Sequence, residues 1–244
     1  MLSQSIGAIP AASVTSIART DDKGFILPGM TVRIPPKPKS CAVDVCFLLD
    51  MSGSITDPKE GGYPGAVEVQ QELVATLIQG LVGSSANVAA VAFAVSTNIL
   101  QALVPATAGS LDGIQASLRF KVAEDQSTHI SAGLSACQLQ LAGSPSAAAG
   151  HKQVIVLLTD GAPNDGDTPE AVQQAVAAHP GFAYYTIAFG TKPDLDLLKR
   201  IAGRPTDGHW VAGMLGSALD TPLLREVGQA MCSTQSGKCP LGCD

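Results

Sequence analysis

Basic charge is scarce in this chain: 15 Lys and Arg stand against 21 Asp and Glu among 244 residues, a formal net charge of -6. No Lys/Arg cluster breaks the pattern, so the surface that would neutralise a phosphate backbone is missing, and nucleic acid is not an expected partner. Long apolar runs are missing too. Asp, Glu, Gln or Gly interrupts every apolar segment before the roughly 18 residues that a membrane span needs, which excludes direct membrane insertion by a helix. The opening MLSQSIGAIPAASVT has neither the basic start nor the continuous apolar stretch of a secretory signal. There is no Cys-x-x-Cys, and His129, His151, His179 and His209 are scattered, so a zinc site built from close Cys/His pairs is not expected. A Gly-x-Gly-x-x-Gly turn and a P-loop are both absent, which removes the usual nucleotide cradles. Gly-x-Ser-x-Gly is absent as well. Ser52 or Ser54 as nucleophile with His129 and Asp160 would then lack both an elbow and an oxyanion feature, so the chain does not read as an enzyme. No Asn-x-Ser/Thr sequon occurs, which removes one sign of secretion.

What is present is enough chain for one substantial core with short extensions. The six cysteines are Cys41, Cys46, Cys137, Cys232, Cys239 and Cys243, and their spacing favours disulfides over zinc. Cys137 shares the helical face Ile130, Leu134, Cys137, Leu141 and reads as a buried thiol acting as a small hydrophobe; Cys46 is read the same way. Cys239 and Cys243 either pair with each other or begin a further module.

Residues 1–40 show little periodicity and end in Ile34-Pro35-Pro36-Lys37-Pro38-Lys39, which favours an extended lead-in. Within it, Gly24 to Ile34 could add an edge strand. Ala42 to Leu49 (AVDVCFLL) is an apolar run of strand length ending on Asp50 and a Gly/Ser turn. Val69, Leu73, Leu77 and Leu81 then recur at helical spacing. Asn87 to Ala94 and Asn98 to Val104 read as strands joined by a connection too short for a helical crossover, so they should pair antiparallel. Leu111 to Leu118 and Ile130 to Leu141 suggest helices, and Gln153 to Leu158 is a second fully apolar strand, ending at Thr159-Asp160-Gly161. Thr168 as N-cap and Pro169 at the first helical position open another helix. Phe182 to Phe189 reads as a strand, Asp194 to Ile201 as a helix, His209 to Ala212 as a short strand and Ser217 to Met231 as the last helix. The pattern predicts an α/β, doubly wound, mostly parallel six-stranded sheet with one antiparallel edge hairpin strand and helices on both faces. In such sheets ligands bind beyond the carboxyl ends of the strands near the switch point, where Asp50 and Asp160 would both emerge.

Asp50-Met51-Ser52-Gly53-Ser54 sets a carboxylate and two hydroxyls in a tight loop after a buried strand. Such compact oxygen donors suit a hard divalent cation: Mg²⁺ takes oxygens in an octahedron and keeps some waters, so few protein ligands suffice. By itself Asp-x-Ser-x-Ser is an ordinary turn or cap. Its weight comes from Asp160, placed identically after another buried strand, because two unpaired carboxylates facing one crevice repel and a cation relieves them. A third loop brings Thr128 ahead of the helix that carries Ile130, Leu134 and Leu141.

With these residues in place, about residues 41–232 resemble the von Willebrand factor type A domains, including integrin I domains and the A domains of thrombospondin-related adhesins. Asp50, Ser52 and Ser54 match the family's Asp-x-Ser-x-Ser, Thr128 matches its later Thr, and Asp160 matches its Thr-Asp-Gly. The resemblance implies a metal-ion-dependent adhesion site holding Mg²⁺ (or Mn²⁺/Ca²⁺), with an open position for a Glu or Asp carboxylate of a protein or matrix partner. Asp50 and Asp160 often act there through water. It implies a Cys41–Cys232 disulfide, since these cysteines flank the first strand and the last helix. It also implies extracellular or cell-surface adhesion or matrix assembly. Residues 1–40 would then be a lead-in and 233–244 a Cys-containing tail. The loop Ile55 to Gly65 is longer than usual for the family; Asp57 in it is either part of a solvated loop or a rim residue, even a ligand of a second cation as in integrin β subunits. His129 beside Thr128 is either an exposed bystander or a partner-binding rim residue. The rival reading within the family is an intracellular assembly subunit, cytoplasmic, with the same fold and site. The redox state of Cys41 and Cys232 separates the two, because cytosolic chains rarely keep such bridges.

Overall fold

The computed structural model describes residues 15–16, 31–32, 41–119, 127–161, 163–164, 166–190, 192–203, 210–211, 227–228 and 231–232. Two short strands, β1 (Thr15–Ser16) and β2 (Thr31–Val32), pair antiparallel and form a ladder of their own. The sequence expectation of an edge strand over Gly24 to Ile34 is thereby corrected: its described part, Thr31–Val32, bonds to Thr15–Ser16 instead of extending the main sheet.

The main sheet begins with β3 (Val43–Asp50), eight residues buried on both faces. A single 3₁₀ turn, Gly53–Thr56, leads to α1 (Ala66–Leu81), and β4 (Asn87–Phe93) with β5 (Thr97–Pro105) form the expected antiparallel hairpin. Next come α2 (Ala108–Ser117), α3 (Ile130–Ala142), α4 (Pro145–Ala148) and β6 (Lys152–Thr159). The chain continues through α5 (Pro169–Ala177), β7 (Ala183–Ala188), α6 (Leu195–Ala202) and β8 (Trp210–Val211). Strand order is β5-β4-β3-β6-β7-β8. Five strands are of full length and the sixth has two residues. β3 runs parallel to both β4 and β6, and β7 is parallel to β6 and β8. Of the expected last helix, Val227, Gly228 and Met231 are described and helical, and Val227 and Met231 are buried in the core. The 233–244 tail with Cys239 and Cys243 lies outside the described residues.

The pleat of β3 divides the core. Val43, Val45, Phe47 and Leu49 face Leu73, Val74, Leu77 and Ile78 of α1, together with Val227 and Met231. Cys46 and Leu48 face the other way, toward Ile130, Leu134, Cys137 and Leu141 of α3, in a cluster that also takes in Val172 of α5 and Leu197 of α6. Each fully buried Leu, Ile or Phe contributes on the order of 1.5–3 kcal/mol. This two-sided burial gives β3 and β6 apolar runs in place of alternation. Gly133 of α3 lies against the sheet so closely that a Cβ there would come within 2.9 Å of Leu48 Cδ1.

Cys41 and Cys232 are disulfide-bonded across 191 residues of sequence, in agreement with the resemblance. A second bridge, Cys46–Cys137, corrects the reading of these two as free buried thiols. The reason is geometric: Cys46 is on the α3 side of the pleat, Cys137 is on the sheet-facing stripe of α3, and their Cα atoms lie 5.7 Å apart, within bonding range.

Candidate metal centre

β3 and β6 are neighbours on either side of the point where the strand order reverses, so the loops after them diverge and leave a crevice at their carboxyl ends. The crevice is built first from β3. Asp50 is fully buried at the strand's last position. Gln70 of α1 brackets its backbone, accepting from the Asp50 N–H at 3.2 Å and donating to the Asp50 carbonyl at 2.8 Å. The chain then folds back so that the Ser52 N–H donates to Asp50 Oδ1 at 2.8 Å, while Thr159, the last residue of β6, donates its hydroxyl to Asp50 Oδ2 at 2.6 Å.

The hydroxyls extend this arrangement toward β6. Ser52 Oγ and Ser54 Oγ share a hydrogen bond of 2.9 Å, and Ser54 Oγ donates to Asp160 Oδ1 at 3.2 Å. Asp50, Ser52, Ser54 and Asp160 therefore form one continuous polar chain. Thr128 enters from a third loop, 1% exposed. Its loop is fastened to the β3 side through β4: the His129 N–H donates to Ala94 O at 3.0 Å, and the Met51 N–H donates to Phe93 O at 2.9 Å. The loop before β7's successor helix closes the floor. Gly190 has φ 73°, and a Cβ there would sit 2.5 Å from the carbonyl oxygen of Gly61 and 3.5 Å from Asp160 Cβ. Glycine is required at this position.

The electrostatics are unfavourable without a counter-charge. Burial pushes the Asp50 carboxyl above its usual range, opposed by hydrogen bonds from Ser52 and Thr159. Burial, and then the Asp50 charge beside it, pushes Asp160 up to about 7, with the Ser54 bond opposing. Asp160 Oδ2 is buried without a hydrogen-bond partner among the described residues. A buried acceptor left unmet costs about 1–3 kcal/mol, more when charged. Two carboxylates and three hydroxyl side chains make an all-oxygen set, and among the described residues no group of three or more His, Cys, Asp or Glu offers another metal site. The set fits a hard divalent cation.

The two rim candidates lie in different loops. Asp57 organises its own turn: its carboxylate accepts the Lys59 N–H at 2.9 Å, and its carbonyl accepts from Glu60 and Gly62 at 3.1 and 3.0 Å. His129 is half-buried at the N-cap of α3 and gives no side-chain cap. Several residues that build the site escaped the sequence reading. Gln70 was visible as a polar residue on the buried stripe Val67, Gln70, Val74, Leu77 of α1. Thr159 stood in the quoted Thr-Asp-Gly without a role. Asn164 and Asp167 gave no local signal.

The profile of the von Willebrand factor type A domain matches residues 44–220, and the chain belongs to that family. Domains of this family are generally binding modules without catalytic activity. Among solved structures it is similar to proximal thread matrix protein 1 from the mussel byssus with a zinc-occupied MIDAS motif. That match has TM-score 0.63 and 19% identity, covering 79% of this chain and 46% of that one. It is also similar to the conserved hypothetical protein BatB from Bacteroides thetaiotaomicron (TM-score 0.60, 16% identity, 78% and 98% covered). A third likeness is to the pilus adhesin SpaC from Lactobacillus rhamnosus GG (TM-score 0.61, 17% identity, 80% and 31% covered). At these identities the likeness is one of fold, and the match spans less than half of the mussel chain. No curated protein matches the chain in sequence.

Proposed function

We propose that this domain is a metal-dependent binding module in which Asp50, Ser52, Ser54, Thr128 and Asp160 hold Mg²⁺, with Mn²⁺ or Ca²⁺ as substitutes. The observation that carries the reading is the Oδ2 of buried Asp160, without a hydrogen-bond partner among the described residues, beside a second buried carboxylate. A divalent ion supplies the missing positive charge and a position to which a Glu or Asp carboxylate of a protein or matrix partner binds. The residues of the chain do the rest: Gln70, Thr159 and the Ser52 N–H orient Asp50, and the serine hydroxyls space the two acids. The oxygen donor set favours a hard cation over zinc's preferred nitrogen and sulfur ligands, although the mussel thread protein's motif is zinc-occupied.

Two disulfides in one domain support an oxidising compartment, hence adhesion or matrix assembly outside the cell, with residues 41–232 as the functional unit. An intracellular assembly subunit would have to keep both bridges against a reducing pool. The test is calorimetric titration of the oxidised chain with MgCl₂ and MnCl₂. Wild type binds one ion with release by EDTA, and Asp160→Ala binds none while its near-UV circular dichroism stays native. Equal binding by both proteins rejects the site.

A further inference from the structure

The loop after β6 delivers Asp160 and then turns back over the Thr128 loop. The Asn164 side-chain oxygen accepts the Thr128 N–H at 2.7 Å, and the Asn164 N–H donates to the Thr128 carbonyl at 3.3 Å. The pairing is reciprocal, and it holds Thr128 by both sides of its backbone. Three residues later comes Asp167, 9% exposed. It accepts the Ser131 N–H at 3.0 Å and also the Ser131 hydroxyl. Helix α3 thus begins with no cap from its own N-cap side chain, His129, and takes one from a residue 36 positions away. The Asp167 N–H donates to Asn164 O at 3.1 Å, so both residues belong to one turn. A carboxylate at a helix N-terminus forms charge-assisted bonds that are stronger than neutral ones and is favoured by the helix dipole.

These contacts join two of the three loops of the candidate metal centre. Asp50 is fixed independently by Gln70 and Thr159. The His129 N–H bonds the Thr128 loop to Ala94, just after β4, and four bonds from Asn164 and Asp167 tie the same loop to the loop of Asp160. Resting on the metal-site reading above, we infer that Asn164 and Asp167 are positioning residues for the divalent ion. They act through Thr128 and the first turn of α3, and they fix the hydroxyl of Thr128 relative to the carboxylate of Asp160, so that the two loops form one unit. Loss of a partner that orients a metal ligand typically lowers metal affinity about 10- to 100-fold.

The test is Mg²⁺ titration calorimetry on the full oxidised chain as wild type, Asn164→Ala, Asp167→Asn, Thr128→Ala and the double variant Asn164→Ala/Thr128→Ala. Hydrogen exchange at the Thr128 amide is followed in the same proteins. Asn164→Ala should weaken Mg²⁺ binding about 10- to 100-fold and release protection of the Thr128 amide. The double variant should bind no more weakly than Thr128→Ala alone, because a residue acting through Thr128 has nothing further to lose. Asn164→Asp keeps the acceptor oxygen and restores most of the affinity, which a failure of folding in the alanine variant could not mimic. Wild-type affinity in Asn164→Ala, or losses that add in the double variant, overturns the positioning role while leaving the metal site standing. Absence of Mg²⁺ binding in wild type overturns both.

Discussion

Asp160 carries a cost of this fold in one atom: a buried carboxylate oxygen for which no donor is found among the described residues. Its folded-state pKa is raised to about 7 from an ordinary value of 3.8. A raised carboxyl contributes stability fully only below its unfolded value, and that contribution is lost as pH rises through the folded one. In EDTA the protein should therefore lose stability between about pH 4 and pH 8, and Asp160→Asn should flatten this slope and exceed wild type at pH 8 by about 1–3 kcal/mol. Urea denaturation across that range checks it; a wild type that is the more stable at pH 8 in EDTA rejects the account of the site. Asp44, at the opposite end of β3, behaves inversely. Burial raises its pKa, but hydrogen bonds from Ser146, Gln153, Asn87 and Ser144 outweigh this and leave it lowered. Asn87 donates to it at 2.7 Å, Gln153 at 2.9 Å, and His151 Nδ1 lies at 3.0 Å. The stability it contributes is present above about pH 4 and is lost as pH falls through its lowered value. Asp44→Asn should cost about 1–3 kcal/mol at neutral pH, make acid unfolding shallower and leave divalent binding intact. A matching loss of Mg²⁺ affinity would show that the two ends of the sheet are not independent.

Among the elements, β3 and α3 set the geometry of the site, and the Cys46–Cys137 bridge joins them in the core beneath it. Its removal in Cys46→Ala/Cys137→Ala should lower stability by about 2–4 kcal/mol, read from urea midpoints of the oxidised proteins. Free alkylation of both thiols in unreduced wild type, detected by mass spectrometry, would contradict the pairing. The sequence made β3, β6 and α1 plain, because apolar runs and a helical stripe follow directly from burial. It also located Asp50 and Asp160, since a strand's end is a local property. The bridge escaped because pairing depends on which side of a pleat meets which stripe of a helix 91 residues away. Asn164 and Asp167 escaped for a similar reason. Their partners are Thr128 and Ser131, in another loop, and no local pattern marks a cap supplied from outside the helix.

For the molecule as a whole, the doubly wound sheet explains why the candidate centre lies where it does: neighbouring parallel strands β3 and β6 send their following loops apart and leave two acids facing one crevice. Under the proposed function, recognition of a partner depends on a positive charge that the described site residues do not supply, so binding is switchable by divalent supply. A ligand that binds only the folded state stabilises it by about 2.7 kcal/mol at a hundred times its dissociation constant. The most direct measurement is the thermal unfolding midpoint of oxidised wild type and Asp160→Ala at pH 8, each in EDTA and in saturating MgCl₂. The account predicts a large Mg²⁺-dependent rise for wild type and none for Asp160→Ala; equal rises in both, or none in wild type, would contradict it.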